Sequence, residues 1–202
     1  LALQAAQRWL ALDGKAMEPR EVIARIALSR GDLATTSAQA QAIIEGHAGG
    51  IDEGFRIVAA ILGQSGPALA DDVITVVQQL AARYPKQAGG AHAVALVALR
   101  FQRLPLADEA SKQALLLAPK SRDEKLLRVG VLVKLERVAE ATEIIDALVK
   151  RDAQADELRL AFAKLLLEAN HREHARSQLQ KILKRTPAQP DAMFALGVMS
   201  GN

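Results

Sequence analysis

Cysteine is absent from this chain, which rules out disulfides and thiolate-held metals and leaves the redox compartment open. Aromatic residues are scarce, with one Trp, one Tyr and four Phe. Platforms for stacking nucleic-acid bases are therefore nearly missing. No apolar stretch runs without charge for the roughly 20 residues that a membrane span requires. Catalytic signatures are missing too: there is no G-x-S-x-G, no H-E-x-x-H and no Walker loop. The Gly-Gly pairs at 49–50 and 89–90 are not followed by G-K-[ST] and read as turns. The chain is expected to be no enzyme and to carry no cofactor.

What remains is 50% hydrophobic and 24% charged, too apolar for disorder. Ala, Leu and other strong helix formers dominate, while Gly and Pro fall mostly between apolar runs, so the expected class is all-α. Helices are expected at 1–13, 18–30, 33–46, 52–64, 67–83, 89–102, 105–117, 122–135, 138–151, 155–169, 172–185 and 190–200. Pro105 and Pro190 suit first turns, and Asn170 suits a left-handed turn residue.

The stretch KRTPAQPDAMFALGV, residues 184–198, closes one helix at Pro187 and opens another at Pro190. This unit recurs. Pro85 and Pro119 are 34 residues apart, and two further steps of 34 reach Ala153 and Pro187. Ala107, Ala141 and Ala175 form a second column, and Leu99, Val133 and Leu167 a third. Upstream, Gly14 and Ala48 keep the period of 34, but Ala48 to Pro85 is 37. The three extra residues are assigned to Gly49-Gly50, because glycine allows irregular turns. A 34-residue unit of two helices cannot bury its apolar faces alone, so neighbours must stack.

These columns resemble the tetratricopeptide repeat family. Ala195–Leu196–Gly197 matches the core of its first helix. Ala107, Ala141, Ala175 and Ala114, with Pro85, Pro119 and Pro187, match its second. The aromatic positions depart from the pattern, holding Ala98, Leu132 and Leu166. The resemblance implies a right-handed α-solenoid of stacked antiparallel helix pairs over 1–202. Residues 1–16 would end a preceding repeat. Repeats would follow at 17–50, 51–87, 88–121, 122–155 and 156–189, with 190–202 the first helix of another. On this reading the chain is a piece of a longer array.

It also implies a non-catalytic protein-interaction scaffold, in which the first helices line a groove for a peptide or partner helix. The expected groove residues are Phe55, Val58, Leu62, His92, Leu96, Leu99, Leu126, Val133, Leu160, Lys164, Leu167 and Phe194. The Lys–Asn carboxylate clamp of one subclass is missing, since its positions hold Leu126 and Gly130, or Leu160 and Lys164. In general style the sequence is similar to bacterial outer-membrane lipoproteins of this family, some of which recruit a processing protease to its substrates. That similarity implies the periplasmic side of the envelope, with the cytoplasm as the alternative.

Charge is uneven: residues 85–202 carry 19 Lys/Arg against 14 Asp/Glu, and residues 1–84 carry 7 against 9. Arg172, Arg176, Lys181, Lys184 and Arg185 make a basic helix, the alternative interface for nucleic acid or an anionic surface. His171 and His174 begin that helix, but no further ligand at known spacing supports a metal site. The last helix, 190–200, offers an apolar flank for self-association.

Overall fold

The computed structural model describes residues 1–150 and 155–200. Twelve α-helices follow one another there, with no strand among the described residues. They are α1 (Ala2–Leu12), α2 (Glu18–Ser29), α3 (Leu33–Gly46), α4 (Ile51–Gly63), α5 (Ala70–Ala82) and α6 (Ala88–Arg100). Then come α7 (Leu104–Leu117), α8 (Arg122–Lys134), α9 (Val138–Val149), α10 (Ala155–Glu168), α11 (Arg172–Arg185) and α12 (Pro190–Ser200). Among the described residues, none of these helices is long and apolar enough to cross a membrane.

The proline column has a local cause. In the link from α5 to α6, Gln87 N–H donates to the Tyr84 carbonyl, closing a β-turn with Pro85 in its second position. The same turn joins α7 to α8 (Ser121 to Ala118, around Pro119) and α11 to α12 (Gln189 to Thr186, around Pro187). Proline presets the φ that this position needs. Upstream, the turns Asp13–Ala16 and His47–Gly50 close in the same way around Gly14 and Ala48. Ala153 lies outside the described residues.

The opposite set of links is a second repeated device. Residues 30–32, 101–103, 135–137 and 169–171 each join two helices through one left-handed residue: Gly31, Gln102, Glu136 or Asn170. In each, the next N–H reaches back five residues, as from Arg103 to Ala98 or from His171 to Leu166. This closure satisfies helix-end carbonyls that would otherwise have no partner.

One link differs. Residues 64–69 join α4 to α5 through six residues rather than three, including a short 3-10 turn at Pro67–Leu69. The three extra residues of the 37-residue spacing therefore lie here, and not at Gly49-Gly50 as the sequence predicts. Gly50 instead serves a normal-length link, with φ of +86° just before α4.

Two compact units are present, Leu1–Leu127 and Arg128–Asn202. In the first, α1 packs on α2, α2 on α3, α3 on α4, both α4 and α5 on α6, and α6 on α7. Glycine allows two of these approaches. A Cβ on Gly54 would lie 2.6 Å from the Ile44 Cα, and one on Gly89 would lie 2.4 Å from the Asp52 Cα. Gly89-Gly90 is thus not a turn but the buried first turn of α6, pressed onto α4. Asp52 accepts the Gly89 N–H at 2.8 Å, capping α6 from its neighbour. Beneath Gly90 the buried Phe55 ring meets Tyr84 edge to face, centroids 5.6 Å apart. In the second unit α10 packs on α9 and α11, and α11 on α12. Its core includes Ile145, Phe162, Leu166, Leu179 and Ile182.

Candidate partner-binding site

The expected groove residues separate into a buried and an accessible set. Phe55, Val58, Leu62, His92, Val133 and Leu160 are buried, so they build the core rather than a surface. For α4 the reason is register. α4 begins 37 residues before α6, not the 34 that set Val58 and Leu62 level with His92 and Leu96, and three residues turn a helix by about 300°. Its exposed position is Ala60, with Arg56, Ile57 and Gly63 half-buried. His92 is only 7% exposed, and its Nδ1 lies 2.8 Å from Oε2 of Glu124, itself 1% exposed. Arg56 approaches the other Glu124 oxygen at 3.6 Å and Asp123 at 3.5 Å, and donates to Glu53 at 2.9 Å. Leu96, Leu99, Leu126 and Leu167 are half-buried, whereas Lys164 and Phe194 are exposed.

Three of the accessible residues come together. Lys164 and Leu167 on α10, with Phe194 and Val198 on α12, line a cleft of about 470 Å³. Phe194 is 75% exposed, although the same repeat column holds buried His92 and Leu160. Lys164 makes no hydrogen bond or ion pair among the described residues. Arg172 closes one side, donating to the Met199 carbonyl at 3.3 Å, and Asn170 and Asp191 complete the rim. The sequence reading missed Asn170, Arg172 and Asp191 as lining residues. The left-handed turn at Asn170, which brings α11 back beside α10, is the signal that could have located them.

The basic helix is largely consumed by internal pairing. Lys181 binds Asp146 at 3.0 Å, Arg185 binds Asp156 at 2.9 Å, and Arg176 lies 4.0 Å from Glu173. Arg159 joins the first pair, donating to Asp146 at 2.6 Å and to Gln178 at 2.7 Å. Burial pushes the Asp146 carboxyl up, but hydrogen bonds from Lys181 and Arg159 outweigh it and hold the group below the usual carboxylate range. Of the five basic residues, Arg172 belongs to the cleft and Lys184 stays exposed. These charges fasten α9, α10 and α11 together rather than forming a uniform cationic ridge. His171 and His174 pack edge to face, ring centroids 6.1 Å apart. Among the described residues no group of three metal-ligating side chains forms.

No family model matches the sequence, and no curated protein matches it. Solved structures do match over nearly the whole chain. YrrB, described as a TPR protein with an unusual peptide-binding site, aligns with a TM-score of 0.53 at 13% identity, covering 96% of this chain and 99% of its own. TTC0263, a thermophilic TPR protein of Thermus thermophilus, gives 0.53 at 18% identity, covering 91% and 98%. PilF of Pseudomonas aeruginosa gives 0.50 at 13% identity, covering 95% and 86%. The fold is that of the tetratricopeptide helical-repeat proteins.

Proposed function

We propose that this chain is a protein-interaction module that holds a partner segment in the cleft between α10 and α12. The observation that carries the reading is the exposed Phe194 ring beside unpaired Lys164. Leu167, Val198 and Phe194 take an apolar side chain of the partner, and Lys164 takes a neighbouring carboxylate. Burying a large apolar side chain is worth roughly 1.5–3 kcal/mol, and a preformed cleft spends little of that on ordering. The likeness to a TPR protein with a peptide-binding site supports the reading.

The test is selection of random 12-residue peptides on the immobilised chain. Enriched peptides should pair an apolar residue with Asp or Glu, lose binding to Phe194→Asp, and change their charge preference on Lys164→Glu. Equal binding to the wild-type chain and Phe194→Asp would remove the cleft from consideration. A narrower form of the proposal makes the partner a processing protease on the periplasmic side of a bacterial envelope. Its support is the Ala/Arg/Leu-rich style of the sequence. Co-purification of a protease from membrane extract with the wild-type chain, but not with Phe194→Asp, is the outcome it requires.

A further inference from the structure

The link at 64–69, the one that departs from the repeat, stands next to a cation whose own orientation is fixed. Arg100, at the last turn of α6, donates from Nε to the Gly63 carbonyl at the end of α4, 3.2 Å away. Its terminal nitrogens have no partner among the described residues, and the side chain is exposed. The guanidinium thus presents a planar donor pair that is already positioned.

A cavity lies on each side of it. On one side Ala60, Gly63 and Leu96 form a slot between α4 and α6 of about 340 Å³, with an apolar wall. On the other, Pro67 of the longer link and Ala70 at the start of α5 face Phe101, Gln102 and Arg103 across about 410 Å³. Arg100 lines both cavities. The positive charge of Arg103 is already met by Asp71, at 2.9 Å. Arg56 is likewise engaged by Glu53, Asp123 and Glu124. Among the described residues, Arg100 is therefore the cation of this face left to meet an incoming anion.

We propose that these two cavities and Arg100 form a binding site for an internal peptide segment in which a branched aliphatic residue stands next to Asp or Glu. The aliphatic side chain fills the α4–α6 slot against Leu96, and the carboxylate pairs with the Arg100 terminal nitrogens. The backbone then continues into the cavity bounded by 67–70 and 101–103. That second cavity favours an internal segment over a chain terminus, because a terminal carboxylate on Arg100 would leave it empty. This site is separate from the α10–α12 cleft and stands or falls without it.

The test is amide NMR of the whole labelled chain, titrated with three synthetic octapeptides. One contains an internal Leu-Asp, one an internal Leu-Asn, and one ends in Leu-Asp with a free carboxylate. The expected result is saturable shifts at Gly63, Gln64, Leu96, Arg100 and Gln102 with internal Leu-Asp, and about tenfold weaker binding of Leu-Asn. Arg100→Gln should remove the difference between those two peptides, and Arg100→Glu should prefer a Leu-Lys peptide. Lys164→Glu should leave all of this unchanged. Equal binding of Leu-Asp and Leu-Asn, or unmoved amides at these positions, overturns the proposal. Stronger binding of the terminal peptide overturns the internal-segment assignment. The amides of Leu167 and Phe194 report on the other cleft in the same spectra, so the two readings fail separately.

Discussion

His92 on α6 and Glu124 on α8 are joined by a 2.8 Å contact in an environment that nearly excludes water. The carboxylate is also flanked by Arg56, so Glu124 links α4, α6 and the start of α8. Its removal leaves the buried imidazole without its carboxylate, while the half-buried Arg56 keeps Glu53 and Asp123. Glu124→Ala is expected to destabilise the chain by roughly 2–4 kcal/mol, since breaking a buried polar pair costs more than the pair is worth. Glu124→Gln keeps an acceptor for the ring and should lose less. Urea denaturation of both variants checks the order.

The glycines split into two classes. Gly54→Ala places a methyl group against the Ile44 backbone, so α3 and α4 must separate, at a cost of about 1–3 kcal/mol. Gly130→Ala, in the middle of α8, meets nothing within 4 Å. That change should stabilise by about 0.5–1 kcal/mol through helix propensity alone. Thermal melts of opposite sign are the expected result.

Acid should loosen the second unit. The native Asp146 carboxyl sits below its ordinary range because, although burial raises it, Lys181 and Arg159 hydrogen-bond to the ionised form. The unfolded chain thus takes up the proton first as pH falls. The stabilisation is complete above about pH 4 and is lost as the pH drops through the lower native value. Urea midpoints measured from pH 7 to pH 3 should fall, and Asp146→Asn should start lower and fall less. Asp156 shifts in the same direction: burial opposes it, and Arg185 and Thr186 prevail.

Glu136 adopts a left-handed φ of +60°, a conformation costly for most side chains. Glu136→Gly should stabilise by up to about 1 kcal/mol, and Glu136→Val should destabilise, as read by thermal unfolding.

How much of this was legible in the sequence differs by feature. The column Gly14, Ala48, Pro85, Pro119 and Pro187 marked real turns because each residue occupies the same turn position, where backbone φ limits what is allowed. Helix ends came out within a few residues for the same reason. The extra residues were misplaced because Gly49-Gly50 is the stronger local signal for irregular backbone. The actual link, Gln64 to Leu69, holds only one Gly and one Pro. That error carried into the site: with the extra residues set at 49–50, Val58 and Leu62 fell 34 residues before His92 and Leu96, whereas α4 and α6 begin 37 apart, and the helix presents Ala60 instead. Periodicity shows which side of a helix is apolar. It does not show how close the next backbone comes, which at Gly54 and Gly89 depends on a missing side chain. The meeting of Lys164, Leu167 and Phe194 was the legible part of the cleft, since they share a repeat face.

The longer link between α4 and α5 has one more consequence. Its three additional residues lie outside both helices, so they change chain length without changing the phase of any packed face. A tandem array normally resists insertions, because each unit must match the next. Here the chain has a joint where length can drift at little thermodynamic expense, one residue at a time. New recognition surface can evolve at that margin while the stack beneath it keeps its geometry.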